Sequence, residues 1–256
     1  MKTLFEHAEI LILDGKWRTL HNAALGTEDD RIIYLGQEPP QDHYDVRKNL
    51  SNHAIIPGFY NLHSHTPMAL LRGLGSNLPL DKWLFDKMIP IEKRMKPGDA
   101  NLGARISMME MIASGVVSFS DMYQLPVDYI DEVIQSGLRA NIASPLMAYS
   151  RGADPVRQLA VEEAKDFFAR YNGAADGRIT AEFAIHAEYT SKIEDVLLFN
   201  QICSDRHAGL QLHLSETKKE HEECKLRHGK TPARFFYDLG TFDNPTIAAH
   251  CVMVEP

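Results

Sequence analysis

From Ile55 onward the sequence alternates between short apolar runs and longer stretches with helical spacing, six times over. The runs are AIIPGFYNLHSH, VVSFSDMY, RANIASPLM, ITAEFAIHAE, GLQLHLSE and TIAAHCVMVEP. Runs of this length, each followed by a helical segment, describe strand–helix units that must pair in parallel and be covered by helices. No glycine-rich phosphate loop follows the first run, so a nucleotide-binding doubly wound sheet is disfavoured. The expected architecture is α/β, a (β/α)8 barrel of the TIM type over residues 55–256. In such a barrel the reactive side chains sit at the C-terminal ends of the strands.

The helical segments carry their own punctuation. LPLDKWLFDKMIPIEKRM reads as one helix. GDANLGARISMMEMIASG reads as another, with apolar residues three and four apart and a closing Gly115. Pro126 opens and Gly137 closes the segment PVDYIDEVIQSG. Ser191 is the expected N-cap of SKIEDVLLFNQICSDRH. Residues 1–54 differ in texture: AEILILD alternates, GK turns and RIIYLG is a second strand, which together suggest a small β unit set before the main domain.

Composition narrows the partners. A net charge of −8 without a basic run disfavours nucleic acid and anionic membrane surfaces. No stretch approaches the roughly 20 apolar residues of a membrane helix. Glu6, His7 and Glu9 break the apolar core that a secretory leader would need. Cys203, Cys224 and Cys251 form no C-x-x-C pair, which points to a reducing, cytoplasmic setting and away from a disulfide framework.

The histidines carry the chemistry. Of twelve, five fall at expected strand ends: His63 and His65 on the first, His186 on the fourth, His213 on the fifth and His250 on the sixth. Side chains two apart on a strand share a face, so His63 and His65 both face the barrel interior. Neutral imidazoles are good zinc ligands, and His213 on another strand can supply the third. Three protein ligands with one open position make a catalytic site, because a bound water loses its proton near neutral pH. Glu216, just past His213, is placed for general acid–base work, and His250 for orienting the attacking or departing group. Each has a plainer reading alone: a chance H-x-H, a hydrogen-bonded core histidine, a glutamate favoured by a helix dipole. The clustering on strand ends favours the metal.

The stretches PGFYNLHSHTPMALLRGLGSNLPLDKWL, GVVSFSDMY, HLSETKKEHEE and AAHCV together resemble the amidohydrolase superfamily. Within it they are most similar to the branch of S-adenosylhomocysteine/5′-methylthioadenosine deaminases and related chlorohydrolases. The similarity runs from about Ile10 to the last residue. It implies a barrel flanked by a small β-sandwich, and one divalent metal, usually Zn2+ and sometimes Fe2+. Members with two metals bridge them with a modified lysine on the fourth strand, and ITAEFAIHAE has none. By motif, His63, His65 and His213 are implied ligands, Glu216 the proton shuttle and His250 the residue that holds the water. Glu92 matches a position that binds ribose hydroxyls, against the alternative of an exposed helix charge. His186 matches a substrate contact. Trp83 is either a pocket wall or a core residue. The implied reaction is hydrolytic deamination at C6 of an adenosine-type nucleoside, with a sister chlorohydrolase or guanine deaminase activity as the alternative.

The family pattern continues past a sixth strand, to two more strands and an aspartate on the eighth that serves as ligand and base. Only CVMVEP follows His250 here. The expectations are therefore a barrel with strands one to six, open edges that invite association with another copy, and slow turnover by this chain alone. A non-catalytic fragment is the competing reading.

Overall fold

The computed structural model describes residues 1–124, 126–146 and 154–255. Two compact units divide the chain, Met1–Phe59 and Tyr60–Pro256.

In the first unit β1 (Lys2–Leu13) pairs antiparallel with β2 (Trp17–Glu28), and β2 pairs antiparallel with β3 (Arg31–Gly36). The other edge of β1 takes β4 (Val46–Asn49) and β5 (Ala54–Ile55), both parallel. Leu4, Ala8 and Ile10 of β1 are buried against this sheet's own apolar residues. Strand β2 was not legible in the sequence. Its first residues are polar or exposed, and Asn22 and, on β1, His7 adopt positive φ where the β1–β2 register shifts, which breaks the two-residue alternation. A second difference concerns AIIPGFYNLHSH. It is two strands, because Ala54–Ile55 joins β1 and the barrel strand β6 begins only at Phe59 (Phe59–Ser64). Pro57 between them has no N–H to continue a ladder.

The second unit is built on one six-stranded sheet, ordered β6, β7 (Val116–Met122), β8 (Arg139–Leu146), β9 (Ile179–Ile185), β10 (Leu210–Leu214) and β11 (Thr246–His250). The pairs from β7 through β11 are parallel, in sequential order. Met147 and Pro256, read as strand residues from the sequence, lie outside the described residues. The sheet curls strongly: the His63 ring on β6 lies 5.0 Å from the His250 ring on β11, although these strands are its two edges. The architecture is thus the expected α/β barrel type, with a parallel sheet bent towards closure.

The helices are α1 (Leu80–Trp83), α2 (Ile89–Glu92), α3 (Pro97–Ala113), α4 (Ile130–Ser136), α5 (Asp154–Tyr171), α6 (Ala174–Gly177, a turn with two left-handed residues), α7 (Ile193–Arg206), α8 (Lys218–His228) and α9 (Pro232–Asp238). One apolar cluster packs Ala104, Met108, Val133 and Phe167 from helices against Phe119 and Ile142 of β7 and β8. Another packs Val196, Phe199, Phe235 and Phe236 against Phe183 and Leu212 of β9 and β10.

Two helix starts differ from the sequence reading, and one helix carries an irregular turn. The stretch from Leu78 to Met95 is helical as expected from Leu80 to Glu92, with α1 and α2 running on through a π-helical turn, Leu84–Met88, just before Pro90. Pro126 opens a 3-10 turn, Pro126–Asp128, and α4 proper starts at Ile130. Ser191 does not cap α7, because its hydroxyl donates to the Ala187 carbonyl at 2.7 Å. The first turn of α7 is closed instead by the Asp195 carboxylate, which accepts from the Lys192 N–H at 3.3 Å.

Candidate metal centre

Strand β6 ends at Ser64, and the chain turns at once into a 3-10 segment, Thr66–Leu71. That turn is held from two sides. Asp121, fully buried near the end of β7, accepts from the Thr66 N–H (2.8 Å), the Thr66 hydroxyl (2.7 Å) and the Ser64 hydroxyl (3.0 Å). Behind it, α3 comes so close that a Cβ on Gly103 would lie 2.1 Å from the Pro67 carbonyl oxygen. Ser107, one turn on, donates to the Thr66 carbonyl at 2.8 Å. His63 and His65 therefore project from a rigid arm.

His213 arrives from β10. Its Nδ1 lies 2.7 Å from the His186 carbonyl, as the His65 Nδ1 lies against the Met122 carbonyl. A carbonyl oxygen can only accept, so in both rings Nδ1 carries the proton and Nε2 presents a lone pair. These two Nε2 atoms face each other at 3.3 Å. The His63 Nε2 is buried and has no hydrogen-bond partner. One nitrogen from each of the three rings lies within 4.8 Å of the others. Converging lone pairs without a proton between them suit a cation, so the donor set fits a divalent metal ion with nitrogen preference. Electrostatics agree. Burial, followed by the neighbouring imidazoles, lowers His63 to about 3 and holds His213 well below the usual histidine range. These rings are neutral at physiological pH, the form that ligates metal.

Around this centre lies a cavity of about 340 Å3, within the range of small-molecule sites. His186, just past β9, lines it with its ring 4.7 Å from that of His213, and burial lowers it to about 3. His250 lines it from the end of β11, its ring stacked 5.3 Å from His213. Glu216 lines it too, with Oε1 3.6 Å from the His250 Nε2, longer than a hydrogen bond. Partial burial raises the Glu216 pKa, the direction a proton donor needs. The main chain at Glu216 is fixed by Glu220, whose carboxylate accepts from the Ser215 N–H (3.1 Å) and the Glu216 N–H (2.7 Å). Ser215, His250 and Cys251 all adopt positive φ, so the ends of β10 and β11 are re-aimed towards the cavity. Trp83 and Glu92 line the cavity from the segment around the π turn, and Glu92 Oε1 accepts from the Tyr123 hydroxyl at 2.8 Å.

All seven residues singled out in the sequence thus line one cavity. Asp121, Tyr123 and Glu220, which position them, were not singled out. Asp121 had a signal, a carboxylate near the end of the apolar run VVSFSDMY, where burial without a partner is costly.

Residues 54–256 match the Amidohydrolase family. The chain belongs to the amidohydrolase family. It is 38% identical to a 5-methylthioadenosine/S-adenosylhomocysteine deaminase of Pelotomaculum thermopropionicum, over 98% of this chain and 58% of the relative. Among solved structures, an adenosine deaminase from Xanthomonas campestris with bound zinc superposes with a TM-score of 0.89 at 21% identity, over 99% of this chain and 58% of that one. An atrazine chlorohydrolase from Arthrobacter aurescens complexed with zinc superposes with a TM-score of 0.84 at 19% identity, over 99% and 61%. These structures share the fold of this chain, which spans a little under two thirds of their length.

Proposed function

We propose that this amidohydrolase is a metal-dependent hydrolase that deaminates an adenosine-type nucleoside, with 5′-methylthioadenosine and S-adenosylhomocysteine as the leading candidates. The observation that carries this reading is the single cavity shared by three converging imidazoles, a carboxyl with raised pKa and a second carboxylate. The named activity of the relative at 38% identity supports the substrate class.

His63, His65 and His213 would hold one divalent ion, with zinc favoured by the nitrogen donor set and by the zinc found in structures of the same fold. When bound, that ion supplies Lewis-acid activation of water. Glu216 would take one proton from the water and deliver it to the ring nitrogen beside C6, then take the second from the new C6 hydroxyl and pass it to the departing amine. The C6–O bond forms, the C6–N bond breaks, and ammonia leaves a hypoxanthine base. His250 orients the water from the opposite side, and His186 contacts the base. Glu92 accepts hydrogen bonds from the ribose hydroxyls, and Trp83 walls the cavity, so sugar binding sets the ring over the reacting water.

The test is ammonia release and equilibrium binding by zinc-loaded protein, with adenosine, 5′-methylthioadenosine and S-adenosylhomocysteine set against guanine and atrazine. Adenine nucleosides are expected to bind best and to be the ones that release ammonia. Tighter binding of guanine or atrazine would overturn the reading in favour of a sister hydrolase.

A further inference from the structure

Three consecutive residues, the last two of β7 and the one that follows, each hold a different part of the cavity. The Asp121 carboxylate ties down Ser64 and Thr66, and the Met122 carbonyl sets the His65 ring. Tyr123 reaches the other way, to Glu92. Tyr123 is itself well fixed. Its N–H donates to the Ala143 carbonyl on β8 at 3.2 Å, its side chain is buried, and its ring lies edge-on to Tyr129 with centroids 6.4 Å apart. Glu92 is the last residue of α2, and among the described residues no side chain of that helix bonds its carboxylate. Among the described residues, the Tyr123 hydroxyl is the side-chain donor that the Glu92 carboxylate has.

We propose that Tyr123 is a positioning residue for substrate recognition: its hydroxyl locks the Glu92 carboxylate so that the remaining lone pairs meet a vicinal diol. A carboxylate offers about four acceptor directions. Tyr123 occupies one on Oε1 and so fixes the plane in which the others lie. Two adjacent hydroxyls can both donate only to a carboxylate held in that plane, whereas a freely rotating glutamate gains one bond and loses side-chain freedom. Burial and the adjoining Glu92 charge keep the phenol protonated, so it remains a donor across the accessible pH range. The end of β7 thus contacts both the arm bearing His65 and the carboxylate proposed to take the sugar.

This inference rests on the nucleoside reading above, and the experiment separates the two. Inosine and 2′,3′-dideoxyinosine, product-type ligands that do not turn over, are titrated calorimetrically into the zinc-loaded full chain. The wild type is expected to bind inosine at least about thirtyfold more tightly, as hydrogen bonds to a charged group allow. Tyr123→Phe removes one oxygen and keeps the apolar ring. It should lower that ratio at least about fivefold, through inosine alone, with zinc content and thermal midpoint unchanged. In a Glu92→Gln background the same change should have no further effect on the ratio. An unchanged ratio in Tyr123→Phe, or equal weakening of both ligands, overturns the role of Tyr123 and leaves the nucleoside reading standing. A wild type that does not distinguish the two ligands overturns the diol reading itself, and the role of Tyr123 with it.

Discussion

At the scale of single residues, Asp121 holds the arm that carries His63 and His65. It touches none of the imidazoles by hydrogen bond, yet it holds Ser64 and Thr66, the residues on either side of His65. Burial raises its pKa, and the Thr66 hydroxyl and N–H act against that rise. Replacing it by Asn keeps the volume but turns a donor pair towards the Thr66 N–H and hydroxyl. Asp121→Asn is expected to weaken zinc binding by about 10–100-fold, the usual cost of disturbing groups that orient ligands. Competition with a chromophoric chelator measures this, and an affinity within twofold of wild type would remove Asp121 from that role. His63, His65, His213 and Glu216 were visible in the sequence because they fall at or just past the ends of apolar runs. Asp121 and Tyr123 were not, because their importance lies in partners 55 and 31 residues away.

At the scale of elements, α3 is the support behind the site. Its apolar residues Ala100, Ala104 and Met108 recur every fourth position and are buried, which is the pattern the sequence announced. Gly103, by contrast, reads in the sequence as a mild helix weakness. The close approach of the Pro67 carbonyl gives it a purpose, since any side chain there meets backbone at 2.1 Å. Gly103→Ala, normally favourable in a helix, is expected to destabilise the chain by about 2 kcal/mol, in the range of overpacked sites. It should also loosen metal binding, because the displaced segment carries His65. Chemical denaturation at constant zinc checks the sign, and a stabilising Gly103→Ala would contradict the close packing. The N-terminus of α8 makes a similar contribution: Thr217 accepts from the Glu220 N–H at 3.1 Å, and Glu220 in turn grips the main chain of Ser215 and Glu216.

At the scale of the whole molecule, the histidine cluster links folding to pH and to metal. His63 and His186 are lowered to about 3, and His213 well below its usual range, with burial the leading cause. In the unfolded chain these rings titrate near 6.5. Between about pH 3 and 6.5 the unfolded state therefore binds more protons, and stability rises with pH across that window. The metal-free chain should show a thermal midpoint that falls steadily as pH drops from 6.5 to 5, and His186→Asn should flatten the slope. Zinc at about 100 times its Kd should raise stability by about 2.7 kcal/mol at neutral pH, and lose that effect as ligand protons compete. Thermal melts with and without zinc across this range test both, and a pH-independent midpoint without metal would exclude the linkage. No helix among the described residues is long and apolar enough to cross a membrane.

The alternation of apolar runs and helical segments determined the parallel sheet by itself, because strand and helix periods are local properties of neighbouring residues. It also placed the histidines and Glu216 at strand ends, where a parallel barrel collects its chemistry. Only the tertiary structure decided how far the sheet curls, which brings His63 within 5.0 Å of His250 across its two edges. Only it gave the Glu92 carboxylate its partner, a tyrosine hydroxyl from just past the end of β7. These outcomes rest on contacts between residues far apart in the chain, set by packing and by the need to pair buried polar groups, and no window of sequence contains both partners.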